Sequence, residues 1–342
     1  MQGPSTTVAT TPSVVVPPQE QQEIDALIGR MRRLMTDRDQ GHTQQRDVHM
    51  KMHGLVRAEF TVSDNLPPDL RVGLFAQPRT YKAWVRYSNS ASATEPDRKG
   101  DIRGMAIKLM GVPGRKVLDS HADADTHDFL TVTALNFPAR TAAEIEALVA
   151  AVVQGPLWVK LGFLLTHPRS AWVLLTTMVK HANMLQNLYC SVVPYRFGAH
   201  AVKYIVRPHV GTPDTVPSRP SADYLRERMV RQLAQGDAVF DFCVQFQRDE
   251  ASMPIDDPFR TWSLALSPPR KLATVRILQQ HFDTDAIRTY GENLSFTPWH
   301  CLPEHLPLGA LNRTRRAVYD TLSTYRRERN LAPRVEPTDW DV

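Results

Sequence analysis

The sequence predicts an α+β fold that is built around a mostly antiparallel β-sheet or barrel. Two observations favour this class: about seven short strand-like runs, and helical segments that are inserted among them and appended after them. The strands do not alternate one for one with helices, which argues against a doubly wound parallel sheet. Phosphate-binding glycine loops of the GxGxxG and Walker types are missing from the sequence, so nucleotide-dependent dehydrogenases and kinases are unsupported.

The predicted elements follow one another along the chain. A first helix is predicted at Glu23–Met35, where apolar residues recur at helical spacing. Strands are predicted at Leu55–Val62, Ala83–Ser88, Met105–Met110, Phe129–Thr133, Leu188–Val193, Ala201–Val206 and Val239–Gln247. Further helices are predicted at Thr141–Val153, Leu157–Met184 with a break near His167, Tyr224–Leu233 and Arg313–Arg329. The Pro-rich stretch Arg248–Gly309 shows little periodic structure apart from Ala273–Phe282.

The composition is that of a globular protein. The 342 residues are 42% hydrophobic and 23% charged, which excludes an intrinsically disordered chain, a collagen-like fibre and a coiled coil. The 41 Lys and Arg residues outnumber the 36 Asp and Glu residues, and the excess is spread along the chain. This balance permits an anionic substrate, and we predict no nucleic-acid partner.

The cysteines and the N-terminal residues indicate the cellular compartment. Cys190, Cys243 and Cys301 are odd in number and far apart, which excludes a disulfide scaffold and favours a reducing, cytoplasmic setting. The Thr-, Ser- and Pro-rich start lacks the pattern of a secretory signal and predicts a disordered tail over residues 1–20. A single folded domain is expected over residues 21–335.

The longest strongly apolar stretch without a charge is Ala147–Val159. It is too short to span a bilayer and contains Gly155 and Pro156. We interpret it as part of a buried helix pair. The alternative is a patch that lies on a membrane surface, so a membrane is the less favoured partner.

The segment Asn312–Asn330 carries a basic helical face with a tyrosine in its middle. The residues that share this face are Arg315, Tyr319, Ser323 and Arg326. A cation held beside a phenol favours the phenolate, which is the form that binds ferric iron, and a second arginine suits a carboxylate. The alternative is an amphipathic basic helix with a half-buried tyrosine.

Two further segments carry candidate acid–base and anion-binding groups. His49 and His53 stand just before a predicted strand, where an imidazole can exchange protons near neutral pH; the alternative is a hydrogen-bonded turn histidine. Arg86 and Arg103 flank a Ser- and Asn-rich loop and are candidates for binding an anion, with ordinary salt bridges as the alternative.

Two clusters offer the residue types of a metal site. Asp119–Asp128 reads DSHADADTHD and lacks the spacing of an EF-hand, so we interpret it as a solvated acidic loop. Trp299–His305 reads WHCLPEH and contains a proline but no fourth ligand, which favours a structural loop.

Together these segments resemble the catalase superfamily, and its small catalase-like haem proteins more than full-length catalases. Catalases carry RxxHxK before their first barrel strand, and Arg46–Lys51 reads RDVHMK. Their RFS and DPRGFAVKF blocks correspond to Arg86–Ser88 and Asp101–Leu109, and their RxxxY motif to Arg315–Tyr319. Two longer stretches, Pro194–Tyr204 and Glu292–Tyr319, also resemble the small family. The resemblance covers about residues 40–330.

The resemblance implies an antiparallel barrel that holds haem b, in a minimal form without the C-terminal helical domain of full-length catalases. Tyr319 is then the proximal iron ligand, and His49 is the distal acid–base group, oriented by the hydroxyl of Ser88. The arginines that correspond to propionate ligands are Arg46, Arg86 and Arg326. Arg315 corresponds to the arginine that pairs with the phenolate.

One departure concerns the distal strand. Where catalases place an asparagine over the iron, this sequence has Thr131, Val132 or Thr133, and Asn136 comes too late. We assign the distal hydroxyl to Thr133. The expected function is that of a haem-dependent oxidoreductase acting on hydrogen peroxide or on organic or lipid hydroperoxides. The alternatives are an isomerase similar to allene oxide synthase and a haem-binding sensor; a homo-oligomer stays open.

Overall fold

Antiparallel strands close into an eight-stranded barrel in the computed structural model, which describes residues 16–40 and 43–342. Around the barrel the strands are β1 (Met52–Val62), β2 (Thr80–Asn89), β3 (Arg103–Met110), β4 (Thr126–Val132), β5 (Tyr189–Cys190), β7 (His200–Pro208), β8 (Ala238–Phe246) and β9 (Arg270–Ile277). Strand β9 pairs with β1 and closes the barrel, and the short β6 (Tyr195–Phe197) pairs with β7. The predicted α+β class with an antiparallel barrel is therefore confirmed.

Aromatic side chains fill the inside of the barrel. Side chains alternate between the two faces of a strand, so every second residue of β1, from Val56 to Val62, joins the buried core. The ring of Phe242 lies 4.7 Å from that of Phe129 and 5.1 Å from that of Phe60, measured between centroids. This packing makes the barrel a solid wall, and its outward-facing residues are available to build a site.

Seven helices cover the barrel within the described residues. They are α1 (Pro18–Arg38), α2 (Ala142–Leu148), α3 (Leu157–Thr166), α4 (Pro168–Thr177), α5 (Tyr224–Leu233), α6 (Asp285–Asn293) and α7 (Ala310–Asn330). One turn of π-helix, Val149–Gln154, extends α2. Helix α1 packs its buried residues Ile24, Leu27 and Met31 against Val318 and Leu322 of α7.

The Pro-rich stretch 248–309 holds two elements: β9, which overlaps the periodic run Ala273–Phe282, and α6, which the sequence pattern did not indicate. Its first, β9, closes the barrel, and its residues Leu272, Ala273 and Val275 are buried in the core. Its second, α6, begins where the hydroxyl of Thr284 accepts a hydrogen bond from the backbone N–H of Ile287. In contrast, the predicted strand Leu188–Val193 shrinks to two residues, because Val192 takes a left-handed φ of 62°.

Both predicted ends of the folded domain change. Residues 1–15 of the predicted tail lie outside the described residues, but Pro18–Glu20 form the first turn of α1, and Glu20 binds Arg313 at 2.8 Å. Beyond residue 335, the carboxylate of Asp339 binds Lys82 at 2.6 Å, and the indole N–H of Trp340 donates to the backbone oxygen of Ala83. The folded part therefore includes residues on both sides of 21–335.

The interpretation of Ala147–Val159 as part of a buried helix pair is wrong. Leu157 and Trp158 at the start of α3 are 71% and 75% exposed, and Trp172 of α4 is 68% exposed. Only Phe163, Ser170 and Val173 of the two helices are buried. Among residues 16–40 and 43–342, none of the helices combines the length and apolar character that crossing a bilayer demands.

The interpretation of Asp119–Asp128 as a solvated acidic loop is wrong for its histidines and its last aspartate, because His121, His127 and Asp128 are buried. His121 meets His300 of the second cluster, with 2.5 Å between their Nδ1 atoms. Glu336 completes a group of metal-ligating types. However, Glu336 already binds Lys108 at 2.9 Å and Arg334 at 3.1 Å, and this positive charge opposes a divalent cation.

Lys108 is the centre of this buried network. Its ammonium group lies 2.7 Å from Asp128 and 2.9 Å from Glu336, and its side chain is 1% exposed. Burial lowers the pKa of Lys108, but the two carboxylates outweigh burial and hold this pKa above its ordinary value. Lys108 therefore neutralises the buried Asp128 and the partly buried Glu336, and it fastens the C-terminal segment to β3.

We expect Lys108→Met to lower the free energy of unfolding by about 3–5 kcal/mol, because the buried carboxylate of Asp128 loses its cation. The matched control is Lys82→Met, which also removes a lysine that binds the C-terminal segment. Because Lys82 and Asp339 are about half exposed, this control should cost under about 1 kcal/mol. Chemical denaturation of both variants measures the difference, and equal losses would contradict the role of Lys108.

Candidate active site

The outer face of β2, β3 and β4 forms the floor of the site. Ser88 of β2 pairs with Gly104 of β3, and Gly104 pairs with Val132 of β4. Directly paired residues of an antiparallel sheet share a face, so these three residues lie in a row. Two residues along, Arg86 of β2 pairs with Ala106 and Ala106 with Leu130 on the same face.

His49 lies over this row, just before β1. Its Nδ1 lies 3.0 Å from the hydroxyl oxygen of Ser88. Gly104 leaves the room for the ring, since a Cβ there would lie 2.7 Å from Nδ1 of His49 and 2.9 Å from Oγ of Ser88. Any larger residue at position 104 would therefore displace the imidazole.

The backbone of His49 takes a left-handed conformation with φ of 57°. Such a conformation costs a residue with a side chain on the order of 1–3 kcal/mol and is often found at functional sites. Two hydrogen bonds hold it here: the N–H of His49 donates to Ser90 O at 3.2 Å, and its carbonyl accepts from Arg86 Nη1 at 3.0 Å. The ring is thus fixed from both its side chain and its backbone.

The imidazole of His49 is neutral at neutral pH. Burial, followed by the charges of Arg86, Arg315 and Arg46, lowers its pKa to about 3. If Nδ1–H donates to Ser88 Oγ, then Nε2 carries the free lone pair. The arrangement can therefore accept a proton at Nε2 and return it, which is the chemistry of a general acid–base group.

Three arginines and one carboxylate gather beside His49. Glu292, at the end of α6, lies 3.2 Å from Arg86 and 3.8 Å from Arg46. Arg326 of α7 is buried, and burial together with the charge of Arg86 lowers its pKa to about 10 despite Glu292. Burial also raises the pKa of Glu292, but the three guanidinium groups outweigh it and hold that pKa below its usual value.

The arginine cluster has hydrogen-bond donors to spare. Arg46 donates to the backbone oxygens of Gly291, Glu292 and Leu294, yet its Nε has no partner. Among the described residues, Nε of Arg86 and Nη2 of Arg326 are likewise buried without an acceptor. Buried donors without acceptors and an excess of positive charge together indicate a binding place for an anion.

Arg315 and Tyr319 lie one turn apart on α7, as their spacing predicts. The guanidinium carbon of Arg315 lies 5.5 Å from the centre of the Tyr319 ring. Burial lowers the pKa of Arg315, but the phenols of Tyr195 and Tyr319 raise it above its ordinary value. Arg315 therefore stays charged beside the ring of Tyr319.

The three candidates for the position of the missing asparagine lie in different surroundings along the distal strand β4. Thr131 shares the inner face with Met105 and donates to its backbone oxygen at 2.8 Å. Val132 lies on the face of His49, opposite Gly104. Thr133 follows the end of β4, where its hydroxyl accepts from the backbone N–H of Arg103 at 3.0 Å. No contact joins Thr133 to His49 among the described residues, so its distal role stays a prediction.

His53 and Arg103 belong to a separate network. His53 is fully buried and bonded to Asn89 at 2.6 Å, and Arg103 donates to the same Asn89 oxygen and to the backbone of Asp97. The alternative of a hydrogen-bonded turn histidine holds for the hydrogen bond of His53 but not for the turn, because His53 lies in β1. The alternative of an ordinary salt bridge describes Arg103, which lies 3.9 Å from Asp101. The structure instead brings together His49, Ser88, Arg46, Arg86, Arg315, Tyr319 and Arg326.

Sequence reasoning missed Glu292 and Tyr195. Both lie in stretches that resemble the small family, but neither has a motif of its own. A signal for Glu292 was available, because several arginines assigned to one place need a counter-charge. Tyr195 of β6 receives a 3.5 Å contact from Arg315 that the sequence could not indicate, since β6 is only three residues long.

Comparison with known proteins concerns the fold. No protein-family model matches the sequence, and no curated protein shows a significant match. Solved structures do match: a fungal catalase has a TM-score of 0.68 at 15% identity, and the match covers 95% of this chain and 66% of the catalase. A bacterial catalase has a TM-score of 0.69 at 16% identity, with 97% and 66% covered.

Catalase A from Saccharomyces cerevisiae is similar to the chain with a TM-score of 0.68 at 16% identity, and the match covers 95% of this chain and 68% of the yeast protein. The chain thus spans about two thirds of the length of these catalases. The predicted resemblance is confirmed at the level of structure: this chain has the catalase fold.

Proposed function

We propose that the chain is a haem-dependent oxidoreductase that acts on hydroperoxides. The observation that carries the proposal is the convergence of four sequence segments in one buried place. The charges of Arg46, Arg86 and Arg315 all act on the imidazole of His49, and the phenol of Tyr319 acts in turn on Arg46 and Arg315. A partly buried histidine, a cationic cluster that is largely buried and a tyrosine beside an arginine are the parts that this chemistry needs.

The residues present fit haem b. Unpartnered N–H groups on Arg46, Arg86 and Arg326 suit the two propionates of the porphyrin. Tyr319, with Arg315 beside it, would be the iron ligand. When bound, the haem iron supplies the redox chemistry for cleavage of the oxygen–oxygen bond. Three free, buried cysteines fit a reducing compartment, and we place the protein in the cytoplasm.

The chain's own contribution is to hold and move a proton. Nε2 of His49 accepts the proton of the hydroperoxide O–H group and delivers it to the distal oxygen, which leaves as water or an alcohol. Ser88 and Gly104 keep the ring in place during this transfer. The low pKa of His49 ensures that the imidazole starts each transfer without a proton.

Val132 favours organic hydroperoxides over hydrogen peroxide. Val132 of β4 lies on the floor of the site, paired with Gly104, and its side chain is apolar. An apolar wall excludes water and accepts alkyl chains. The same wall suits isomerisation of a fatty-acid hydroperoxide, of the allene oxide synthase type, so analysis of the products decides between reduction and isomerisation.

Tyr319→Phe should lose most of its haem or shift the haem absorption bands, because the phenolate is the proposed iron ligand. The matched control is Tyr325→Phe on the same helix, whose hydroxyl contacts Thr36 at the surface. Absorption spectra and haem content of both purified variants provide the measurement. A Tyr319→Phe protein with unchanged spectrum and haem content would show that the ligand is wrong.

His49→Ala should retain haem but lower hydroperoxide turnover on the order of 100-fold or more, the usual size of a general acid–base contribution. Ser88→Ala should have a smaller effect on the same rate, since it only orients the ring. Steady-state kinetics at equal haem content measure both. A larger loss in His53→Ala with haem retained would assign the proton transfer to the wrong histidine.

The ratio kcat/KM should rise from hydrogen peroxide to a short alkyl hydroperoxide and again to a fatty-acid hydroperoxide. Each buried methylene adds about 0.8 kcal/mol, or roughly fourfold in affinity. A Val132→Asn variant should shift the preference towards hydrogen peroxide, since it restores a polar group beside His49. No rise in kcat/KM with chain length would leave a small-peroxide enzyme and reject the apolar substrate.

A further inference from the structure

Helices α3 and α4 form an exposed apolar hairpin that the proposed chemistry does not use. The face in question, called the α3–α4 face below, consists of Leu157, Trp158, Leu161, Leu165, Trp172 and Leu175. These side chains are between 53% and 83% exposed. Along α3, Leu157, Leu161 and Leu165 recur every four residues and share one face, and Trp158 adjoins it. Soluble proteins rarely expose a contiguous patch with two tryptophans and four leucines unless it binds something.

We propose that the α3–α4 face docks on the surface of an anionic lipid bilayer. The first reason is the kind of residue: leucine with tryptophan at the edges is the composition of helices that lie in a membrane interface. The hairpin would lie in the interface plane, and its apolar side chains would enter the boundary between headgroups and acyl chains. The proposal goes beyond the proposed function and does not depend on haem.

Charge complementarity is the second reason. The sequence from Ala147 to Pro213 contains no Asp or Glu. Within the hairpin and directly after it, Lys160, Arg169 and Lys180 supply positive charge, and Arg169 and Lys180 are exposed. A cationic rim around an apolar face complements anionic headgroups, each basic residue near the surface adding attraction.

The third reason is that the hairpin offers little hydrogen bonding to a protein partner. The hydroxyl groups of Thr166, Thr176 and Thr177 donate to backbone oxygens one turn earlier on their own helices, at 2.7–2.9 Å. Polar groups that are satisfied within the helix can enter a lipid environment without loss. Specific protein interfaces, in contrast, carry roughly one hydrogen bond per 100–200 Å². The face therefore suits lipid better than protein.

The hairpin is anchored next to the candidate active site. Its inner side is held by Phe163, Val173 and Ser170, whose hydroxyl donates to the backbone of Pro138 at 2.8 Å. After α4, the carbonyl of Val179 accepts from the N–H of Asp101 at 3.1 Å, two residues before β3. The end of the hairpin is therefore tied to the loop that leads into β3, the strand that carries Gly104.

Vesicle co-sedimentation of the purified full chain tests the proposal. The probe is vesicles of equal parts phosphatidylglycerol and phosphatidylcholine, compared with phosphatidylcholine alone. The chain should bind the anionic vesicles, and the triple variant Trp158→Gln, Leu161→Gln, Leu165→Gln should need at least about tenfold more lipid. Leu266→Gln is the matched control, because Leu266 is 54% exposed but lies outside the face; its binding should be unchanged.

Two further measurements separate the electrostatic and apolar parts. Removal of positive charge in Arg169→Gln with Lys180→Gln should weaken binding to anionic vesicles and reduce its dependence on salt. Bromine-labelled acyl chains should quench the fluorescence of the bound chain, and Trp158→Phe should remove much of that quenching, since Trp84, Trp262 and Trp299 are buried. Neither readout requires haem or turnover.

Several outcomes would overturn membrane docking. One is a chain that stays in the supernatant with anionic vesicles at low salt. Another is binding that the triple variant leaves intact. A third is a dimer in analytical ultracentrifugation that the triple variant converts to a monomer, without vesicle binding by either protein; the face would then be an interface between copies of the chain. Because these residues are exposed, the variants should keep the thermal stability of the parent, which circular dichroism checks.

Discussion

Crowded positive charge is the constraint on which the candidate site depends. Arg46, Arg86 and Arg326 share one carboxylate, Glu292, among the described residues, and all three have pKa values lowered by burial. A buried charge without a partner costs about 3–5 kcal/mol, so such a cluster is stable chiefly as a receptor for further negative charge. Binding of an anion then stabilises the fold as well as the site, because the ligand binds only the folded state.

The register of the strands determines which side chains face the site. Because side chains alternate along β2, the same rule that sends Tyr87 into the aromatic core sends Arg86 and Ser88 outward. Gly104 then removes the one side chain that would push His49 away. The barrel thus provides the rigid wall, and helix α7 contributes Arg315, Tyr319 and Arg326 to the site on its outer face. The register of β2 therefore sets both the packing of Tyr87 in the core and the position of Arg86 and Ser88 on the outer face.

Local patterns in the sequence predicted what depends on local spacing. The Arg315–Tyr319 pair needs only a helix, and most strands show clear period-two alternation. The sequence could not predict that Glu292 counters the arginines, because α6 lies in a Pro-rich stretch whose helix is defined by one cap. Nor could it separate Val132 from Thr133 as the residue beside His49, because a shift of one residue reverses the face of a strand. The sequence also did not predict which residues are buried: α3 is apolar yet exposed, whereas His121 and Asp128 are polar yet buried.

The exposed apolar face of α3 and the apolar floor of the site both favour a substrate that accumulates in lipid. An apolar hydroperoxide is poorly soluble in water and accumulates in lipid. A protein with Val132 on the floor of the proposed active site gains from contact with the bilayer only if that contact is close to the site. The hydrogen bond between Val179 and Asp101 provides this proximity, since it ties the end of α4 to the loop that leads into β3. A lipid surface bound by the α3–α4 face, as proposed, would therefore be linked to the start of β3 through this hydrogen bond.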